Sequence, residues 1–301
     1  MSTVADRSAA PSMPDTRNEP AAPVPVTAAS GSPTARDSSD AAAGPPPPSR
    51  SFLWCFHRFL DRYLPRNFHT LALLGGCPGD AAPDEPLIVA LNHPSWWDPM
   101  LGLFVARHCF AERTFYAPID AEALANYGMF RKLGFYGVRL DSLSGARQFL
   151  TDSRSLLARP GGSIWITPQG RFVDPRERTT LQPGLGHLCA TLERGTVLPL
   201  AAEYPFWEER LPEALACFGE PIRIAEHSTL DKHEWTDLLS ERLTAAQDRL
   251  AAASIAREAD AFTPLLRGRA DVGGFYDWGR RLKSWATLRR FEAAHSDKLN
   301  D

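Results

Sequence analysis

Short apolar runs alternate with segments of helical periodicity from residue 87 to residue 202, and this alternation constrains the fold more than any other feature of the chain. The runs at 87–91, 114–117, 136–140, 163–167 and 196–202 have strand length. Helical patterns occupy 99–107, 121–132, 143–158 and 184–194 between them. A β-α-β-α order requires crossover connections, so it predicts an α/β fold with a mostly parallel central sheet flanked by helices. Residues 214–224 add a late strand with a turn, and residues 232–258 form a long Leu- and Ala-rich amphipathic helix.

A compositional break near residue 50 sets the outer limits of this domain. Residues 1–50 contain no Leu, Ile, Phe, Trp or Tyr and end in the run Pro45 to Pro48, so they cannot bury enough apolar surface to offset their ordering entropy. The expectation is a disordered Pro/Ala/Ser-rich leader, without the basic start and apolar run of a secretory signal. Residues 51–66 repeat bulky apolar groups at helical spacing, with Arg58 and Arg62 one turn apart. This pattern fits a helix lying in a bilayer interface or docked on the domain, ended by Pro65. Residues 67–260 form the main domain. Residues 261–301 make a basic-aromatic tail, in which Trp278 and Trp285 stand among Arg280, Arg281, Lys283 and Arg289. The tail suits either a second membrane-facing helix or an ordinary solvated one.

No apolar run approaches the roughly 18 to 20 residues needed to span a bilayer, so membrane contact is expected to be peripheral, on the cytoplasmic face. The net charge of -3, from 33 basic and 36 acidic residues, gives no electrostatic case for nucleic acid as a partner. Five Cys at 55, 77, 109, 189 and 217 have neither close pairing nor metal-site spacing, so reduced thiols and no bound metal are expected.

The first chemistry-bearing segment is Leu91-Asn92-His93-Pro94-Ser95-Trp96-Trp97-Asp98-Pro99, which follows a strand. Sheet enzymes bind ligands at strand ends. Five residues is a poor same-face spacing in a helix, so His93 and Asp98 belong to a loop that folds one back on the other. Pro99 suits a first helical position, which makes Asp98 a candidate N-cap. A carboxylate that accepts one imidazole N–H fixes the tautomer and leaves the other nitrogen as a base. The structural alternative is a capping Asp98 beside a histidine of no chemical role.

Three further segments lie at strand ends. Thr167-Pro168-Gln169-Gly170-Arg171-Phe172 is a Pro/Gly turn that suits anion binding, with Arg171 placed to hold a phosphate or polar headgroup or to remain a surface charge. Arg139 ends an apolar strand and needs a ligand or a partner such as Asp141 or Glu203. Residues 196–204 read as a buried strand broken by Pro199 that shapes a pocket wall.

Taken in order, these segments resemble the four blocks of the glycerolphosphate and lysophospholipid acyltransferases, the PlsC-like enzymes. Asn92-His93-Pro94-Ser95-Trp96-Trp97-Asp98-Pro99 is similar to the first block, 134–141 to the second, Ile166 to Arg171 to the third and Val197-Leu198-Pro199-Leu200 to the fourth. The resemblance implies His93 as general base oriented by Asp98. It also implies Arg139, Gln169, Gly170 and Arg171 as substrate-binding residues. The implied donor is acyl-CoA or acyl-carrier protein as co-substrate, without a further cofactor, and the implied acceptor is a membrane lipid alcohol.

The third block departs from the family pattern. Gln169 stands where Glu is usual, Arg171 where Thr is usual and Phe172 where Arg is usual. Since that block helps hold the acceptor phosphate in the family, the expected acceptor widens from a lysophospholipid to a glycolipid, carotenoid glycoside or other lipid alcohol. The same departure motivates the alternative of an inactive lipid-binding or scaffold protein on this fold. A hydrolase with Ser95 as nucleophile is disfavoured, because no Gly-x-Ser-x-Gly elbow surrounds it.

Overall fold

The structure, a computed structural model, describes residues 44–79, 85–139 and 142–268. The first 43 residues of the expected leader and the aromatic-basic part of the tail lie outside the described residues.

Nine strands of the described residues form one sheet: β1 (Thr70–Leu74), β2 (Leu87–Leu91), β3 (Thr114–Asp120), β4 (Phe135–Val138), β5 (Gly162–Ile166), β6 (Thr196–Glu203), β7 (Glu213–Phe218), β8 (Ile222–Arg223) and β9 (Phe262–Arg267). The spatial order is β4-β3-β5-β2-β6-β7-β1-β9, with β8 on β6. From β4 to β6 every neighbour is parallel, as are β1 and β7. The pairs β6–β7, β6–β8 and β1–β9 are antiparallel. The expected α/β architecture with a mostly parallel central sheet is therefore present.

Alternation along the strands assigns the helices to faces. Leu87, Val89 and Leu91 point into one core with Leu60 and Leu64 of α1 (Arg50–Asn67) and Leu101, Phe104 and Val105 of α2 (Asp98–Cys109). Ile88 and Ala90 point to the other face. There they meet a core that the helices after β4, β5 and β8 supply, named α4 (Leu143–Leu157), α5 (Pro183–Ala190) and α6 (Lys232–Ala256) to leave α3 for the short helix after β3 (Ala121–Asn126). Both faces of β2 are covered, which is why this strand is an unbroken apolar run rather than an alternating one. A capping box starts α6: Asp231 accepts from the backbone of His233 and Glu234, and the Glu234 carboxylate accepts the Asp231 N–H.

The structure corrects several boundaries. α1 runs through Pro65 to Asn67 rather than ending before it. The helix expected at 121–132 is the short α3 followed by a 3-10 turn at Gly128–Leu133. Gly134 ends that turn at φ +102, where a Cβ would collide with the carbonyl oxygen of Phe115. β1 and β9 have no counterpart in the sequence reading, and β9 carries the sheet past Asp260, beyond which the tail is expected to begin. β1 depends on β7 and β9 for its pairing and β9 depends on β1, so these short strands leave little periodic signal in sequence.

β6 is continuous rather than broken at Pro199. On one edge it pairs with β8 at Thr196 and Val197 and with β7 from Leu200 onwards. Pro199 sits at the step between these partners, where a missing donor costs little, and its carbonyl accepts the Gly219 N–H at 2.8 Å. Cys77 and Cys109 are joined in a disulfide, against the expectation that all thiols are reduced. These residues, 32 apart in sequence, meet because the segment after β1 comes to the C-terminal end of α2.

Candidate active site

β2 ends at Leu91, near the sheet centre, between β5 and β6. Its neighbours are parallel to it, so the loops after all three strands converge at the carboxyl edge. Asn92 finishes β2 with its side chain: Nδ2 donates to the Ala202 carbonyl at 3.1 Å, and Oδ1 accepts the Ala202 N–H at 2.7 Å. A buried carboxamide thus replaces one backbone rung and locks the start of the loop to β6.

The loop then turns back as expected. His93 Nδ1 and Asp98 Oδ2 are 2.6 Å apart. Asp98 is only 1% exposed. Its Oδ2 also accepts the Ser95 N–H at 3.1 Å, and Oδ1 accepts the Tyr204 hydroxyl at 2.8 Å. Burial pushes the Asp98 carboxyl above the usual carboxylate range, while the bonds from His93, Ser95 and Tyr204 pull it back. Burial, reinforced by the Asp98 charge, holds the Tyr204 phenol well above its ordinary value. Tyr204 is therefore a neutral donor. Asp98 is the first residue of α2 rather than its N-cap, a position that Trp97 takes.

The imidazole is oriented through its main chain as well. Gln169 Oε1 accepts the His93 N–H at 2.6 Å, and the His93 carbonyl accepts the Val173 N–H at 2.9 Å. The segment after β5 thus grips His93 from both sides. With Nδ1–H committed to Asp98, Nε2 is the basic nitrogen, and the side chain keeps 19% of its surface exposed. Phe172 lies against the ring, centroids 4.4 Å apart, and is itself exposed.

This is the arrangement that a proton-abstracting histidine requires. Residues 67–203 match the family model described as Acyltransferase. These residues form an acyltransferase-family domain. No individual curated protein matches the chain.

Within the acyltransferase domain the remaining candidates take different places. Gly170 adopts φ +69 and its N–H closes the turn onto the Thr167 carbonyl, so it serves the bend that presents Gln169. Gln169 is buried, with its carbonyl oxygen occupied by His93. Arg171 is an exposed surface side chain, 3.8 Å from Glu177. Arg139 follows β4, exposed and three strand positions from β2, roughly 14 Å across the sheet. The buried Glu203 carboxylate accepts from Nε and Nη2 of Arg176 rather than from Arg139, and Asp141 lies outside the described residues. The backbone donors at the start of α2 are engaged locally: Asp98 N–H to the Ser95 carbonyl, and Met100 and Leu101 N–H to the Trp97 carbonyl.

Among the described residues no three His, Cys, Asp or Glu side chains cluster as metal ligands. Two contributors escape a reading of the sequence. Asn92 is visible as part of the first block, but its partner lies 110 residues away. Tyr204 carries no local signal, because only the pairing of β6 with β2 brings it to Asp98.

Proposed function

We propose that the acyltransferase domain moves a fatty acyl group from a thioester, acyl-CoA or acyl-carrier protein, to the hydroxyl of a membrane lipid. The observation that carries this reading is the 2.6 Å contact between His93 Nδ1 and the buried Asp98 carboxylate, in the loop after the carboxyl end of β2. Nε2 removes the acceptor hydroxyl proton as its oxygen attacks the thioester carbonyl. The tetrahedral intermediate collapses by breaking the C–S bond, and the imidazolium returns the proton to the departing thiolate, giving ester and free thiol. Asp98 stabilises the imidazolium between the two transfers.

The acceptor is a lipid alcohol without a phosphate monoester at the mouth of the site. Arg171 and Arg176 each have a carboxylate neighbour, and the group that meets the catalytic ring from the third block is the apolar Phe172. A sugar-bearing or other neutral lipid fits these surroundings better than lysophosphatidate does. Attachment to the membrane is peripheral and runs through α1, which exposes Trp54 (66%) and Phe59 (46%) beside Arg58 and Arg62. No described helix is long and apolar enough to cross a bilayer.

The test is a thioester-dependent acylation assay of purified full-length protein with long-chain acyl-CoA and a fractionated lipid extract. The expected result is a new acylated neutral lipid and free thiol, both lost in His93→Ala. Full activity in that variant would overturn the assignment, and lysophosphatidate as preferred acceptor would overturn the acceptor class.

A further inference from the structure

We propose that Tyr204 is a positioning residue for the catalytic pair, setting both the orientation of Asp98 and the pH at which His93 works as a base; this rests on the proposed role of His93. Tyr204 directly follows the last residue of β6, and β6 lies next to β2, the strand that ends before His93. That adjacency brings its hydroxyl to Asp98 Oδ1 at 2.8 Å, while Oδ2 serves His93 and Ser95. The two oxygens therefore have separate duties. One is fixed by the phenol, so the carboxylate cannot rotate, and the other is left aimed at the imidazole.

The ring itself is held by packing. Phe68, fully buried, sits with its centroid 5.7 Å from Tyr204 and 4.7 Å, edge-on, from Trp97. Trp97 precedes Asp98, so Phe68 braces both sides of the hydrogen bond. A phenol confined in this way has little conformational freedom left to lose when it donates. The titratable groups that bear on Asp98 are His93 and Tyr204, and the charge that bears on Tyr204 is that of Asp98. A hydrogen bond to a buried anion spreads its charge, and without that bond the carboxylate attracts a proton on the neighbouring imidazole more strongly.

Two substitutions at Tyr204 push in opposite directions. Tyr204→Phe removes the donor: kcat falls by about tenfold, and the KM of each substrate stays within about twofold of the unaltered protein. The acid limb of the rate profile moves to higher pH, because the pair takes up its first proton more readily. Replacing Tyr204 by 3-fluorotyrosine keeps the shape, strengthens the donor and moves that limb to lower pH. A residue that merely fills space would give neither shift. The same order is read without turnover from the imidazole NMR titration of His93 in full-length protein. An acid limb and titration left unmoved by both substitutions, or moved in the same direction by both, overturns the proposal. If the Phe variant does not fold, the fluorinated protein decides alone. Absence of acyl transfer by the unaltered protein counts against the proposed function instead, and the titration still decides for Tyr204.

Discussion

The carboxamide oxygen of Gln169 accepts the main-chain N–H of His93 at 2.6 Å, so the third block acts on the first through the backbone. Gln169 is almost fully buried, and removing its carboxamide orphans the His93 main-chain donor. Gln169→Leu is expected to cost about 1 to 3 kcal/mol of stability and to lower kcat more than it raises KM. Chemical denaturation and steady-state kinetics on the same preparation check both.

His93→Ala and Asp98→Asn should each lower acyl transfer by about 10² to 10⁴. The fold should survive, since the strands that present the pair keep their own pairing. Single-turnover thioester consumption measures the loss, and circular dichroism verifies the fold.

Asn92→Ala removes both bonds to Ala202 and leaves a buried N–H and a buried carbonyl without partners. The expected loss is about 2 to 4 kcal/mol, with activity falling in parallel as the loop loosens from β6. A urea midpoint lowered without a change in slope would establish it.

His57 belongs to α1, where burial, then the neighbouring Arg107, lowers its pKa from 6.5 to about 4, with Asp61 opposing. Between these values the unfolded chain takes up the proton and the folded one does not. This contribution is therefore complete above pH 6.5 and is lost as the pH falls towards 4. Because the ring is only half-buried, the effect is on the order of 1 kcal/mol. His57→Gln should flatten the acid decline by that amount relative to the unaltered protein in urea melts between pH 7 and 4.

Reducing the Cys77–Cys109 bond removes a link across a sequence separation of 32 from the unfolded ensemble. The chain-entropy model sets the cost at about 3 to 4 kcal/mol. Thermal melts with and without reductant, with the double variant Cys77→Ser and Cys109→Ser as reference, measure it.

Local pattern determined a good deal of this protein. β2, β5 and β6 are covered on both faces and so had to be continuous apolar runs, which made the centre of the sheet legible; the helices between them followed from periodicity. The five-residue interval from His93 to Asp98, closed by Pro99, was enough to expect a loop that brings the pair together, because that contact is local in the chain.

Contacts that are long in sequence were decided only by the tertiary structure. Strand order brings Tyr204 to Asp98, Ala202 to Asn92 and Gln169 to His93, over separations of 106, 110 and 76 residues. No residue-level pattern records which strands become neighbours. The short edge strands β1 and β9 and the Cys77–Cys109 bond were invisible for the same reason: each exists only because a distant segment supplies the other half of its hydrogen bonds, or the other sulfur.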